Sequence, residues 1–259
     1  MLLAINIGNT NAVFGFFHKG KLMLNRRISS TVSRTEDELY IPLKQFCEQI
    51  KISPEALQGV VISSVVPELT DSINKMLNNY LKLQPLIISG MIDAGINIPY
   101  SDPAKLGADR ICAVVAAQKK FGGPAIVVDF GTATTYDVIT SKGEYLGGVI
   151  APGVETMAVD LFRRTAKLPR INLQFPDEII GKDTITAIQS GVMFGAVDSF
   201  EGMVRRLRRS AGKYATVVAT GGYAPIIAEV TNEIKYMEPN LVLEGARMIF
   251  ERISKKTKK

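Results

Sequence analysis

Residues 125–151 read AIVVDFGTATTYDVITSKGEYLGGVIA, and residues 2–28 read LLAINIGNTNAVFGFFHKGKLMLNRRI. Both open on a run of apolar residues, the mark of a strand buried on both faces. Each run ends in a Gly-rich turn, Gly8-Asn9-Thr10 in one and Gly131-Thr132-Ala133-Thr134 in the other. A second apolar stretch, a tight turn (Lys19-Gly20-Lys21 or Ser141-Lys142-Gly143) and a third stretch follow in both. Gly8 and Gly131 stand almost half the chain apart, so the pattern predicts an internal duplication of two α/β domains.

The sequence between and beyond fits that plan. Leu39, Leu43, Phe46 and Ile50 share one face of a predicted helix over 36–50. A strand over 59–66 closes at Pro67, and Leu69, Ile73, Met76, Leu77 and Tyr80 define a helix over 68–83. A helix over about 104–120 crosses between the halves. The second half continues with a long helix over 184–209 and a strand over 217–219 that ends in Thr220-Gly221-Gly222. A helix begins near 224 and the last spans about 241–254. The expected domains are 1–116 and 117–259.

Composition excludes several functions. Of 259 residues, 46% are hydrophobic and 22% charged, as in ordinary globular proteins. The net charge is +6, but Lys255, Lys256, Lys258 and Lys259 sit in a C-terminal stretch that reads as a disordered tail. The body is therefore only mildly basic. With no Trp, and with aromatics not interleaved among cations, nucleic-acid binding is not expected. The single histidine, His18, excludes a His-rich metal site and a Ser-His-Asp triad built around another His. Spacing leaves a Cys47–Cys112 disulfide open, though a core of this size needs none. No segment approaches the roughly 18 apolar residues of a membrane span, and the start, MLLAINIGNTN, lacks the features of a signal peptide. A cytoplasmic protein is the expectation.

Three Gly/Thr-rich turns each follow a buried strand. Backbone N–H groups and Thr hydroxyls at such turns suit phosphate oxygens; each turn also reads as a plain tight turn. Neither GxxxxGK[ST] nor GxGxxG is present. Asp129, at a strand end beside the Gly131 turn, needs a cation near any bound phosphate, or serves as a capping Asp. Asp109 and Arg110 read either as a solvated pair or as a proton acceptor beside a carboxylate clamp. Arg205, Arg206, Arg208 and Arg209 read as a solvated helix face, and Arg163, Arg164 and Lys167 as candidates for a polyanion path.

These motifs together resemble the type III pantothenate kinases, of the actin–hexokinase–chaperone ATPase superfamily. The resemblance runs through Gly8-Asn9-Thr10-Asn11, Val61-Ile62-Ser63-Ser64-Val65-Val66-Pro67, Gly107-Ala108-Asp109-Arg110 and Val128-Asp129-Phe130-Gly131-Thr132-Ala133-Thr134-Thr135. It continues through Gly147-Gly148, Ala151-Pro152-Gly153, Gln189-Ser190-Gly191 and Ala219-Thr220-Gly221-Gly222. It implies two actin-like (ribonuclease H-like) α/β domains with a cleft between them, and the ATP-dependent phosphorylation of pantothenate to 4′-phosphopantothenate, the first step of coenzyme A biosynthesis.

Carried over residue by residue, the family roles give an ATP loop of Asn6, Ile7, Gly8, Asn9, Thr10, Asn11, Ala12 and Val13, with Thr132, Gly221 and Gly222 also at ATP. Pantothenate falls to Tyr100, Gly107, Ala108, Asp109, Arg110 and Thr184, with Asp109 as general base. Asp129 is the implied ligand of a monovalent cation, K⁺ or NH₄⁺, and Mg²⁺ accompanies ATP. A homodimer is implied, with no nucleic-acid or membrane partner. One position departs from the pattern: the family's Asp-x-Gly-Asn-Thr begins here with Asn6. Asn supplies no charge to a hydrated Mg²⁺, so a catalytically impaired, nucleotide-binding relative with a regulatory role is the competing reading.

Overall fold

The computed structural model describes residues 1–257; Lys258 and Lys259, the end of the expected disordered tail, lie outside them. The chain forms two compact units. One comprises Met1–Ala116 together with the stretch from Asn240 onward, and the other Ala117–Pro239.

In the first unit, β1 (Leu2–Ile7), β2 (Asn11–His18), β3 (Lys21–Ser29), β4 (Gly59–Ser64) and β5 (Leu86–Ile87) form one sheet in the order β3-β2-β1-β4-β5. β1 runs antiparallel to β2 and parallel to β4, with Asn6 opposite Ser63. Alternation along these strands sends Leu3, Ile5, Ile7, Val60 and Ile62 to one face. There they pack with Leu39, Leu43 and Phe46 of α1 (Glu36–Gln49) and Leu69, Ile73 and Met76 of α2 (Pro67–Met76). α1 starts at a capping box, with Thr35 and Glu38 satisfying each other's free backbone N–H. The helix expected over 68–83 regularly wound only to Met76: Leu77–Leu81 is a wider π turn, stopped by Lys82 in the left-handed region.

In the second unit, β6 (Ala125–Phe130), β7 (Ala133–Ile139), β8 (Tyr145–Pro152), β9 (Thr216–Thr220) and β10 (Tyr236–Met237) take the order β10-β9-β6-β7-β8. Read from the other edge, this is the first sheet's order, strand for strand. The antiparallel β6–β7 and parallel β6–β9 pairings repeat β1–β2 and β1–β4. The duplication read from the Gly turns is thus a duplication of topology. Its core joins Ile126, Val128 and Phe130 to Met193, Val197, Phe200 and Val204 of α5 (Thr184–Ala211).

α3 (Ala108–Phe121) follows β5, and α7 (Leu241–Thr257) holds the corresponding place after β10. Sequence reading assigns residues 240–259 to the second domain; the structure groups α7 with the first unit. The reason is close packing. Leu243 lies against Gly15, Phe250 lies over Gly59, and Gly245 approaches the Cys112 carbonyl so closely that a Cβ would overlap it. Lys255 and Lys256, read as tail, belong to this helix, and Lys256 pairs with Asp93. Asp93 also accepts two bonds from Arg252, at 3.0 and 3.1 Å. These cations hold the Asp93 carboxyl well below its ordinary range, and they fasten the loop after β5 to α7. Two elements go unread in the sequence: the two-residue strand β10, and α4 (Val154–Arg164), whose Val154, Met157, Ala158 and Leu161 show helical spacing. Cys47 and Cys112 are both buried free thiols, so no disulfide joins them.

Candidate functional site

The assigned residues fall into two groups, one in each unit. In the first unit, β1 delivers Asn6 and Ile7, and the chain reverses through Gly8–Thr10 into β2. The Gly8 N–H donates to the Asn11 carbonyl at 3.0 Å. Ile7 and Ala12 are buried in the core, so only their backbone is open to contact; Asn9 and Thr10 are exposed at the turn. A Cβ on Gly8 would meet nothing closer than the Asn11 carbonyl oxygen at 3.5 Å, and its φ is not positive. The fold therefore does not require glycine there. What glycine adds is open space over backbone N–H groups, which suits close approach of a phosphate.

Asn6 Oδ1 is buried and has no hydrogen-bond partner among the described residues. Such an atom costs free energy unless something meets it. On the neighbouring strand Ser63 stands opposite Asn6. Cys112, one turn beyond Asp109 on α3, is fully buried, and burial pushes its thiol far up, out of any nucleophilic role.

Asp109 sits in the first turn of α3, where the helix dipole favours a negative side chain. Its Oδ1 accepts the Arg110 N–H at 2.8 Å, which curls the carboxylate back over Gly107. A Cβ on Gly107 would lie 2.6 Å from that oxygen, so glycine makes room for this rotamer. Tyr100 lies in the same loop region, between the Asp93 tie and Pro103, which abuts Gly90.

In the second unit, Asp129 is the penultimate residue of β6, beside the Gly131 turn. The Gly131 N–H donates to the Ala133 carbonyl at 3.1 Å. The Thr132 carbonyl accepts from the Gly153 N–H at 3.1 Å and from the Thr156 hydroxyl at 2.6 Å. The N-terminal turn of α4 thus braces the Thr132 turn. Gly221 has φ +96° and lies against Asp129 and Phe130, whereas a Cβ on Gly222 would meet nothing within 4 Å. Gly221 is structural; Gly222, like Gly8, leaves space. Tyr223 donates to the Phe130 carbonyl through its N–H at 3.1 Å and to Glu155 through its hydroxyl at 2.8 Å. Burial, with Glu155 beside it, pushes the Tyr223 hydroxyl up to about 12. Sequence reading missed Tyr223, Glu155 and Thr156; only their place beside Gly222 and Gly153 signals them.

Thr184 opens α5, exposed, just after the N-cap Asp183. Gln189 and Ser190, which the motif reading singles out, hold the preceding loop. Gln189 Nε2 donates to the Asn172 carbonyl at 2.9 Å, and the Ser190 hydroxyl donates to the Ile179 carbonyl. Arg163 and Arg164 lie in the last turn of α4, where Arg164 pairs with Asp160 at 2.6 Å. Among the described residues, no cluster of three or more His, Cys, Asp or Glu side chains forms a metal cage.

Two copies of one mixed five-stranded sheet, each with a Gly turn at the end of its central strand, define an actin-like ATPase fold. Solved structures agree at the level of fold. The chain superposes on the Acidaminococcus fermentans (R)-2-hydroxyglutaryl-CoA dehydratase component A with TM-score 0.59 and 13% identity, covering 100% of this chain and 99% of that one. It superposes on MreB 5 of Spiroplasma citri bound to AMPPNP with TM-score 0.57 and 11% identity, covering 99% and 98%. Residues 2–206 match the family model for type III pantothenate kinase. The type III pantothenate kinase of Bacillus cytotoxicus is 43% identical over 252 residues, 97% of this chain and 96% of that protein. The one from Moorella thermoacetica is 45% identical, over 97% and 99%. This chain belongs to the type III pantothenate kinase family.

Proposed function

We propose a division of labour among these residues in the transfer of the ATP γ-phosphoryl group to pantothenate. Asp109 accepts the proton of the pantothenate hydroxyl as its oxygen attacks the γ-phosphorus in line and ADP leaves. The curled carboxylate, already hydrogen-bonded to the Arg110 backbone, is held for that task. Arg110 pairs with the pantothenate carboxylate, which a guanidinium fork matches. Tyr100, Gly107, Ala108 and Thr184 complete that substrate's contacts. The ATP contacts come from Asn6–Val13 and Thr132, with Gly221 and Gly222 near the adenosine. Mg²⁺ and the monovalent cation supply positive charge that stabilises the phosphates in transfer. The observation that carries this reading is the pair of glycines, Gly8 and Gly222, that the fold leaves open and does not itself require.

Asp129 is proposed as the ligand of the monovalent cation, because a carboxylate beside a phosphate-binding turn needs a positive neighbour. The experiment is ADP release with ATP, Mg²⁺ and pantothenate, in K⁺ and then in Na⁺. The expected result is turnover that requires pantothenate and is strong only in K⁺. Equal rates in both salts would remove the cation from Asp129; no turnover from folded protein would remove the kinase assignment. A homodimer in the cytoplasm belongs to the same proposal. The exposed apolar side chains Leu146 and Ile150 on β8, Leu161 on α4 and Ile185 on α5 support the dimer.

Asn6 tests the electrostatics of the site. Asn6→Asp adds a negative charge where a buried oxygen has no partner. Without metal that charge is uncompensated, so the unliganded variant should melt below the wild type. With Mg²⁺ and ATP it should turn over faster, by about tenfold, at lower Mg²⁺. Paired thermal melts and an Mg²⁺ titration check both signs. A variant that is no faster overturns the metal-facing role of position 6.

A further inference from the structure

Arg205, Arg208 and Arg209 do not simply form a solvated helix face. With Lys213, Glu201 and Glu233 they line a cavity of about 540 Å³ in the second unit. Glu233, from the segment before β10, pairs with Arg208 at 2.5 Å. Glu201 accepts the Thr231 hydroxyl at 2.7 Å. Glu233 is thus paired with a cation and Glu201 keeps its charge, while Arg205 and Arg209 make no ion pair among the described residues. They stand one helical turn apart, where like charges repel. A multivalent oxyanion between Arg205 and Arg209 would relieve that repulsion.

The topology separates this cavity from the kinase site. β6 and β9 run parallel, and Asp129 and Gly221 mark their carboxyl ends. Lys213 precedes the amino end of β9, and Glu233 precedes that of β10, which is parallel to β9. The cavity is therefore built at the opposite end of these strands from the Gly221 turn. ATP held at the carboxyl ends does not reach it.

We infer that this cavity is a second anion site, which takes a diphosphate group through Arg205 and Arg209. Each guanidinium offers a planar fork that matches phosphate oxygens, and the turn-long spacing of Arg205 and Arg209 suits two adjacent phosphates better than one. A free diphosphate and a diphosphate ester share this chemistry.

The test uses the full chain in Mg²⁺-free buffer at low ionic strength. Inorganic pyrophosphate and cytidine diphosphate are titrated calorimetrically into the wild type, into Arg205→Ala/Arg209→Ala, and into a control, Lys142→Ala/Arg206→Ala. The control removes two exposed cations that do not line the cavity. The expected result is a loss of affinity of at least about tenfold in the first variant and little change in the control. A preference for pyrophosphate would assign the site to the free anion, and a preference for cytidine diphosphate to an ester. Thermal melts give a second reading: pyrophosphate should raise the wild-type midpoint and not that of Arg205→Ala/Arg209→Ala. Absence of binding to the wild type, or equal losses in both variants, would overturn the inference. Pantothenate phosphorylation without added pyrophosphate should be unchanged in Arg205→Ala/Arg209→Ala, whether or not the assignments at Asp109 and Asp129 hold.

Discussion

Asp109→Asn should lower turnover by about 10²–10⁴-fold, the usual range for loss of a positioned general base. The substitution is close to isosteric. Its Oδ1 keeps the acceptor that the Arg110 N–H meets at 2.8 Å, so the side chain retains the curl that Gly107 permits. It loses the basicity needed to take the hydroxyl proton. The thermal midpoint should stay close to the wild type, because the ion pairs that hold this loop do not use the Asp109 carboxylate: Lys105 pairs with Asp102, and Asp93 with Arg252 and Lys256. Fluorescence or calorimetric titration with ATP should give an affinity within about twofold of wild type, which separates a transition-state defect from a binding defect. Asp109→Ala would be a poorer test, since it also strips the Arg110 N–H of its acceptor. Substantial turnover in the Asn variant would move the base role to another group.

Legibility of the fold in the sequence followed the strength of local signals. The duplicated order of strands was readable because Gly8 and Gly131 interrupt apolar runs at the same place in each half. β10 was not, because two exposed residues, Tyr236 and Met237, carry no periodicity. α4 was missed although its spacing is regular, since Ala151-Pro152-Gly153 was read only as a motif of the family resemblance. The place of α7 is a long-range fact: it follows from Gly245 meeting the Cys112 backbone, and neither residue signals the other in sequence. At the site, Asp109 and Asp129 were legible because Gly-rich motifs surround them. The orphaned Asn6 oxygen, the Tyr223–Glu155 bond and the Arg205–Glu233 cavity arise from tertiary neighbours, and no window of sequence contains them.

The two glycines after β9 should part company under mutation, although they are adjacent. Gly221 holds φ +96°, a region that disfavours an L side chain. A Cβ there would overlap Asp129 Oδ1 and lie 2.6 Å from the Phe130 backbone N and C. Two of those atoms belong to the backbone of Phe130, the last residue of the central strand β6, held by its pairing with Thr134 and by the Tyr223 N–H on its carbonyl, so they cannot yield. Backbone strain and overpacking together should cost about 2–5 kcal/mol in Gly221→Ala. Differential scanning calorimetry should then show the midpoint lowered by roughly 5–15 °C. Displacing Asp129 should also weaken the proposed K⁺ activation in whatever protein remains folded. Gly222→Ala meets open space, so its midpoint should stay within about 2 °C of wild type. Its effect should fall instead on the KM for ATP, because the new methyl group occupies room proposed for the nucleotide. If Gly221→Ala melts like the wild type, the close packing of the two strand-end turns does not govern stability. If Gly222→Ala leaves the KM for ATP unchanged, the open space beside it does not hold the adenosine.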